Sequence, residues 1–419
     1  MTEMKDSGIN WIGLMPKDWK VISFKHLYSE TNSGEVIDKQ WWNDGYEILY
    51  TCQKTPMLSS FSSFPKWKRT KTNDLLLTRN ATPYVFIPDH ESIYSNVVQR
   101  VKIKYNSNLN YIAYCLKQAA DAYGVAAGIS IPSYNMEIWN NLKLPMIAKE
   151  EQKKIADYLD NKCSQIDSLK SDIQQQISIL EQYKKSVITE AVTKGLNPDV
   201  EMKDSGIEWI GKIPKDWKVI DIKYLVKKAI TDGTHQTPIY DNEINGSPFL
   251  SSKDVTSGHI DWSNIKYITQ SLHKKLQKEV KPQKNDILLA KNGTTGIAAI
   301  VEDDTVFDIY VTLALIRVKE IIVLPKYMLY VINSNICKEQ FNEHLIGIGV
   351  PNLHLNIINN VSVLIPDSLN EQQQIADYLD TKCSEIDSII ESKQQQLETL
   401  EQYKKSLIYE YVTGKKEVK

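Results

Sequence analysis

The sequence predicts an α+β protein built twice over. Two globular α+β domains are joined by two long helices that pair as an antiparallel coiled coil, and an internal repeat gives the whole an approximate two-fold relation. Three observations carry this. A block that opens each half is nearly identical in both halves. So is a block that closes each half, and it contains no helix breaker. The stretches between them are short strand-like runs that share little.

The repeat comes first, because a missed repeat misreads the fold. Residues 4–22, MKDSGINWIGLMPKDWKVI, match residues 202–220, MKDSGIEWIGKIPKDWKVI, at 16 of 19 positions with an offset of 198. EQKKIADYLDNKCSQIDS at 151–168 matches EQQQIADYLDTKCSEIDS at 371–388, and LEQYKKS at 180–186 recurs at 400–406, both with an offset of 220. The chain therefore divides into an opening block (1–22), a variable domain (23–148), a long helix (149–195), a second opening block (196–220), a second variable domain (221–368) and a second long helix (369–419). Nearly fixed framework around diverged middles suits two domains that bind different things.

The closing blocks read as helices of about 44 residues, roughly 65 Å each at 1.5 Å per residue. No Pro or Gly interrupts 150–193. Apolar residues recur at Leu159, Ile166, Leu169, Ile173, Leu180, Tyr183 and Val187, and again at Leu379, Ile386, Ile389, Leu400, Tyr403 and Leu407, as heptad positions a and d. Polar interruptions fall near Lys162 and Gln176 and at Lys393 and Gln396. Leu159, Ile166, Ile173 and Leu180 are expected to meet Leu379, Ile386 and Leu400 across an antiparallel seam. Eight Lys and Arg balance eight Asp and Glu between 149 and 194, which marks a solvated outer face and not a DNA-binding helix.

The middles predict α+β domains. Strands are expected at 74–78, 97–103, 287–290 and 311–318, with short helices over Tyr111–Ala122 and Lys326–Phe341. Two correspondences survive between them. TNDLLLTRNAT (72–82) aligns with KNDILLAKNGT (284–294), and GISIPSYNMEIWNN (128–141) with GIGVPNLHLNIINN (347–360).

Composition bounds the function. A hydrophobic share of 42% and a charged share of 24% are ordinary for a globular protein. No apolar run reaches the ~18 residues of a membrane span, and the N-terminus shows no basic-then-apolar leader. A cytoplasmic chain without membrane contact is expected. Five cysteines, an odd number with no CxxC spacing, indicate buried thiols and neither a disulfide framework nor a zinc site. The net charge of −2 weighs against a nucleic-acid partner globally, so local charge decides.

Local charge points to DNA. Residues 65–79 hold five basic residues and one acid. In both middles a basic lead-in precedes the matched strand: Lys66, Lys68, Arg69 and Lys71 in the first, Lys274, Lys275, Lys278, Lys281 and Lys284 in the second. Lysines neutralise phosphates, while Arg, Lys and Asn reach base edges bidentately. The candidate DNA contacts are therefore Lys66, Lys68, Arg69, Lys71, Arg79, Asn80, Thr82, Tyr134 and Asn135 in the first middle. In the second they are His235, Thr237, Lys253, Lys274, Lys275, Lys291, Asn292, Thr294, Asn352 and His354. No GxxxxGK[ST], HExxH or Asn-Pro-Pro-Tyr sequence occurs, and Gly347 and Gly349 do not complete a dinucleotide fingerprint. His235 and Asp232 with a serine would make a triad on paper, but such combinations are abundant. No catalytic or metal-ligating residue is assigned. Two other readings stay open on the residues: a coiled-coil adaptor without DNA affinity, and a nuclease or methyltransferase with a disguised site.

The collinear set SGIxWIGxxPKDWKV, DLLLTRNAT with DILLAKNGT, and EQxxIADYLDxKCSxID, in two copies over essentially the whole chain, resembles the specificity subunit of Type I restriction–modification systems. The resemblance implies that each middle is a target recognition domain for one half of a bipartite DNA site, that the helices set the spacer, and that the chain is not itself an enzyme. It implies a bacterial or archaeal host-defence complex. Two adenine-N6 modification subunits, carrying S-adenosylmethionine, would dock through Trp11, Trp209, Ile155, Tyr158, Ile375 and Tyr378. Restriction subunits would bring ATP and Mg2+. This chain itself would hold no cofactor. Ala81 stands where the second copy has Gly293, so the first recognition loop is expected to differ in shape.

Overall fold

A computed structural model describes residues 3–80, 82–127, 133–207, 210–255, 258–293, 295–344 and 352–418. The chain forms two compact units, residues 1–173 with 394–419, and residues 174–393. Each long helix contributes one half to each unit.

In the first unit a four-stranded antiparallel sheet runs in the order Tyr28–Ser33, Val98–Ile103, Asp74–Thr78, Val85–Phe86. A three-stranded sheet of Met57–Ser59, Trp42–Tyr50 and Ile93–Tyr94 lies against it, with the last two strands parallel. The second unit repeats this layout. Its four-stranded sheet runs Thr231–Asp232, Leu313–Ile316, Ile287–Ala290, Ala298–Ile300, and a second sheet pairs Ser247–Leu250 with Asp308–Ile309 in parallel.

The matched strands are central and covered on both faces. Leu75 and Leu77 pack with Tyr111, Leu116 and Trp139, whereas Leu76 turns to Leu49, Phe64 and Tyr94. Ile287 and Leu289 pack with Val331 and Phe341, whereas Leu288 and Ala290 turn to Leu250 and Phe307. Successive strand side chains point to opposite faces, so burial on both sides requires the unbroken apolar run the sequence shows. An Asn-Asp pair leads into each strand. Asn73 and Asn285 take left-handed φ values of 70° and 72°, which Asn tolerates better than most residues. Asp74 accepts from Lys71 N at 2.6 Å and pairs with Arg100 at 3.1 Å. Asp286 accepts from Gln283 N at 2.8 Å and takes both arms of Arg317 at 2.6 Å.

The first helix of the first middle runs Leu109–Ala127, longer than expected. The helix expected over Lys326–Phe341 is two, Pro325–Asn333 and Asn335–Glu343. Ser334 breaks it: its backbone is extended (φ −71°, ψ 162°), and its hydroxyl donates to Val331 O at 2.6 Å. Serine competes in this way with the helical backbone.

The long helices run Lys149–Lys194 and Leu369–Val412. Within each unit their halves pack antiparallel. In the first, Lys404 pairs with Asp167 at 2.6 Å and Lys170 pairs with Glu401, so residue numbers rise along one helix as they fall along the other. In the second, Lys393 donates to Gln176 at 2.6 Å and Lys184 pairs with Asp387 at 2.6 Å. The heptad reading needs one correction. Leu169 (47% exposed), Tyr183 (56%), Ile389 (46%) and Tyr403 (53%) flank the seam and do not form it. The inward positions after Leu159 are Cys163, Ile166, Lys170 and Ile173, then Ile177, Leu180, Lys184 and Val187. On the other helix they are Leu379, Cys383, Ile386, Ile390 and Lys393, then Leu397, Leu400, Lys404 and Leu407. Leu159, Ile166, Ile173, Leu379 and Ile386 are buried as expected, and Leu180 and Leu400 are half-buried. Cysteine and lysine hid the second seam position, because a lysine stem can lie along the seam while its ammonium reaches an acid on the facing helix.

Candidate nucleic-acid interface

In both units five chain segments converge at one end of the four-stranded sheet. In the second unit Lys291 N donates to Thr312 O at 2.8 Å, Leu353 N donates to Lys291 O at 2.8 Å, and Asn292 bridges Asn352. Thr234 N donates to Ile309 O and Val311 N to Thr234 O, each at 3.1 Å. Ser252 N donates to the Thr312 hydroxyl at 3.0 Å. In the first unit Arg79 N donates to Val97 O at 2.8 Å, and the Ser133 hydroxyl reaches Arg79 O at 3.5 Å. Glu35 N donates to Tyr94 O at 3.2 Å and Asn96 N to Glu35 O at 2.7 Å, while Cys52 Sγ lies 3.7 Å from Val97 O.

The main-chain bonds around the two glycine loops, with the parallel pairing of Leu49–Tyr50 on Ile93–Tyr94 and of Phe249–Leu250 on Asp308–Ile309, correspond position by position. They pair Arg79 with Lys291, Asn80 with Asn292, Cys52 with Ser252, Gln53 with Lys253, Ser33 with Asp232, and Val36 with His235, while the side-chain bonds of Cys52 and Ser133 have no exact counterpart among the described residues. Both cages close on a glycine. A Cβ on Gly34 would sit 2.1 Å from Tyr94 O, and one on Gly233 would sit 1.9 Å from Ile309 O. No side chain fits either place.

The two cages present different chemistry. In the second unit Lys291, with its side chain 7% exposed, holds Asp232 through one carboxylate oxygen, and His235 Nε2 lies 3.2 Å from the other. Burial pushes the Asp232 carboxyl up, but the hydrogen bonds and charges of Lys291 and His235 outweigh it and hold it below the usual range. The His235 side chain is 72% exposed. In the first unit Val36 stands there, 70% exposed, with Asn80 exposed nearby and Arg79 leaning toward Asn96 O. Burial raises the Cys52 thiol, partly opposed by the backbone amides of Asn80 and Arg79.

The structure thus gathers His235, Lys291, Asn292, Asn352 and Lys253 in one unit, and Arg79 and Asn80 in the other. Several expected contacts need correction. Lys291 is nearly buried in an ion pair with Asp232, so its ammonium does not reach outward. Tyr134 is fully buried and donates to Ala120 O at 2.7 Å. Asn135 caps the helix Met136–Asn141 by accepting from Ile138 N at 3.0 Å, and His354 stands at the matching start of Leu355–Asn359. Half of the first basic strip is neutralised by acids distant in sequence: Lys68 by Glu35, and Arg69 by both oxygens of Glu47 and by Glu91. Lys66, Lys71, Thr82, Thr237, Lys253, Asn352 and His354 are exposed. Lys274 and Lys275 are exposed on the helix Gln270–Glu279, with Lys275 3.3 Å from Gln236 Oε1 beside His235. Thr294, Ala81, Trp209, Gly347 and Gly349 lie outside the described residues.

Among the expected docking residues, Ile155 (7% exposed) and Ile375 (0%) are buried in the cores of their own units. Tyr158 stacks on Tyr411 with ring centroids 4.6 Å apart, Tyr378 is 38% exposed, and the Trp11 indole donates to Lys143 O at 3.1 Å. The sequence reading missed Gly34, Gly233, Gln53, Val36 and the bracing role of Asp232. Asn32-Ser33-Gly34 and Thr231-Asp232-Gly233 carried a turn signal that could have found the glycines. Among the described residues no three His, Cys, Asp or Glu are placed to hold a metal, and no helix is long and apolar enough to cross a membrane.

A family model described as the Type I restriction modification DNA specificity domain matches residues 16–178 and again 214–402. The chain belongs to this specificity family. Its two matches contain the two cages. The chain is 29% identical over 315 residues to the specificity subunit of the Type I restriction enzyme MjaVIII of Methanocaldococcus jannaschii, covering 74% of this chain and 70% of that one. It is 25% identical over 256 residues to the EcoBI specificity subunit of Escherichia coli, covering 59% of this chain and 52% of that one. A solved chain from work on complex assembly and conformational transition of the type I R-M system has the same fold. It gives a TM-score of 0.68 at 14% identity over 95% of this chain and 98% of that one.

Proposed function

We propose that this chain is the DNA-reading, non-catalytic subunit of a Type I restriction–modification assembly, with each cage reading one half of a bipartite target. The observation that carries this is the repetition of one backbone cage with different exposed side chains. Reading two unlike half-sites calls for that combination. The two long helices set the unread spacer. Two modification subunits carrying S-adenosylmethionine methylate adenine and dock near Trp11, Trp209, Tyr158 and Tyr378. Restriction subunits supply ATP-driven translocation with Mg2+.

Exchanging residues 221–368 for the corresponding domain of another specificity subunit is expected to change one half-site and leave the other and the spacer intact. Sequencing the DNA methylated by the reconstituted assembly checks this, and two altered halves would refute independent reading. The exposed lysines serve phosphates in this scheme. Replacing Lys274 and Lys275 with Ala is expected to weaken binding to all sequences alike. It should also flatten the log–log dependence of affinity on salt by about one unit per lost contact. A change confined to particular base pairs would contradict the assignment.

A further inference from the structure

We infer that residues 36 and 235 are matched specificity positions: His235 reads a polar base edge in one half-site, held by a Lys291–Asp232 brace, and Val36 packs on a thymine methyl in the other. This rests on the reading that the cages face DNA.

The match is geometric. Gly34 and Gly233 make the same close approach to the carbonyls of Tyr94 and Ile309, and the parallel bridges Glu35–Ser95 and Thr234–Tyr310 fix the next residue in each loop. Val36 and His235 follow directly, with similar exposure. The brace is not required by the cage. The first unit forms the same backbone bonds with Ser33 in place of Asp232. Yet the second unit buries an ammonium and most of a carboxylate, which costs desolvation unless both are fully paired. What the brace adds is orientation of an otherwise exposed imidazole. An ionised carboxylate only accepts, so His235 Nε2 carries the proton toward Asp232 and Nδ1 is left for a ligand. Nδ1 accepts from the amino group of adenine or cytosine as the neutral ring, or donates to guanine as the imidazolium. Val36 offers no polar atom, and an apolar side chain discriminates in the major groove by contact with the thymine methyl.

The test selects a duplex library, randomised in both half-sites, with the full chain in complex with its modification subunits. H235A is expected to relax one base pair of one half-site by about fivefold to 150-fold, the range for one base-edge contact. V36A is expected to relax a T·A pair of the other half-site. Both residues are exposed, so neither change opens the core. D232A and K291M should relax the same base pair as H235A. D232N, whose amide oxygen still accepts from Nε2, and K291R, which still pairs with Asp232, should restore part of it. Equal weakening of all sequences by H235A would mean a phosphate or structural role and overturn the proposal. So would an unchanged preference in H235A while the wild type selects two half-sites. A wild-type assembly that selects no sequence would overturn both the DNA-reading function and this assignment.

Discussion

Replacing Asp74 with Ala is expected to destabilise the first unit by about 3–5 kcal/mol, the cost of stranding one partner of a buried ion pair. Asp74 is 1% exposed and Arg100 is 3% exposed. Burial holds the Asp74 carboxyl above its ordinary range, with Lys71 N–H, Arg100 and Lys102 opposing. Its Oδ1 and the Arg100 Nε have no hydrogen-bond partner, so the pair is costly even when intact. That sets a contrast. Asp74→Leu with Arg100→Met removes both charges and is expected to recover most of the loss, since apolar replacement of a buried pair is often neutral. Denaturant unfolding of the single and double variants decides between the two. A double variant as unstable as the single one would mean the Asp74 cap on Lys71 N, and not the ion pair, carries the stability.

Gly233→Ala is expected to abolish reading of the second half-site while the first is still read. The added Cβ would lie 1.9 Å from Ile309 O, 2.3 Å from Ile309 C and 2.7 Å from Tyr310 C. All three are backbone atoms in or beside a paired strand, so no rotamer change relieves the clash. The strand Asp308–Ile309 or the loop after Thr231–Asp232 must move, at about 3 kcal/mol, the upper part of the range for overpacked sites. Library selection with the variant assembly reads the loss, and hydrogen exchange at residues 308–313 reads the displaced strand. A variant that still selects both halves would show that the close approach is not needed for recognition.

Much of this fold was legible, for reasons that differ by element. The helices and their pairing were visible because a long amphipathic stripe without Gly or Pro leaves few alternatives. The seam register was not, because Cys163, Lys170, Lys184 and Lys404 do not look apolar. The central strands showed themselves as continuous apolar runs with Asn-Asp before and a basic residue after. Site residues were harder. A lysine in a sequence is a charge, and only the fold says whether an acid elsewhere in the chain meets it. Lys68 and Arg69 are met by Glu35 and Glu47, and Lys291 by Asp232, at sequence separations of 33, 22 and 59. Asn135 looked like a base reader and is a helix cap, since the same side-chain oxygen serves either purpose.

The main-chain bonds around Gly34 and Gly233 are the same in the two cages, while the exposed side chains at 36 and 235, and at 53 and 253, differ. If the cages read DNA as proposed, change at those exposed positions alters target preference at little cost to folding. On that reading a lineage under pressure to change its target samples new preferences by surface substitution, with the main-chain frame kept as it is.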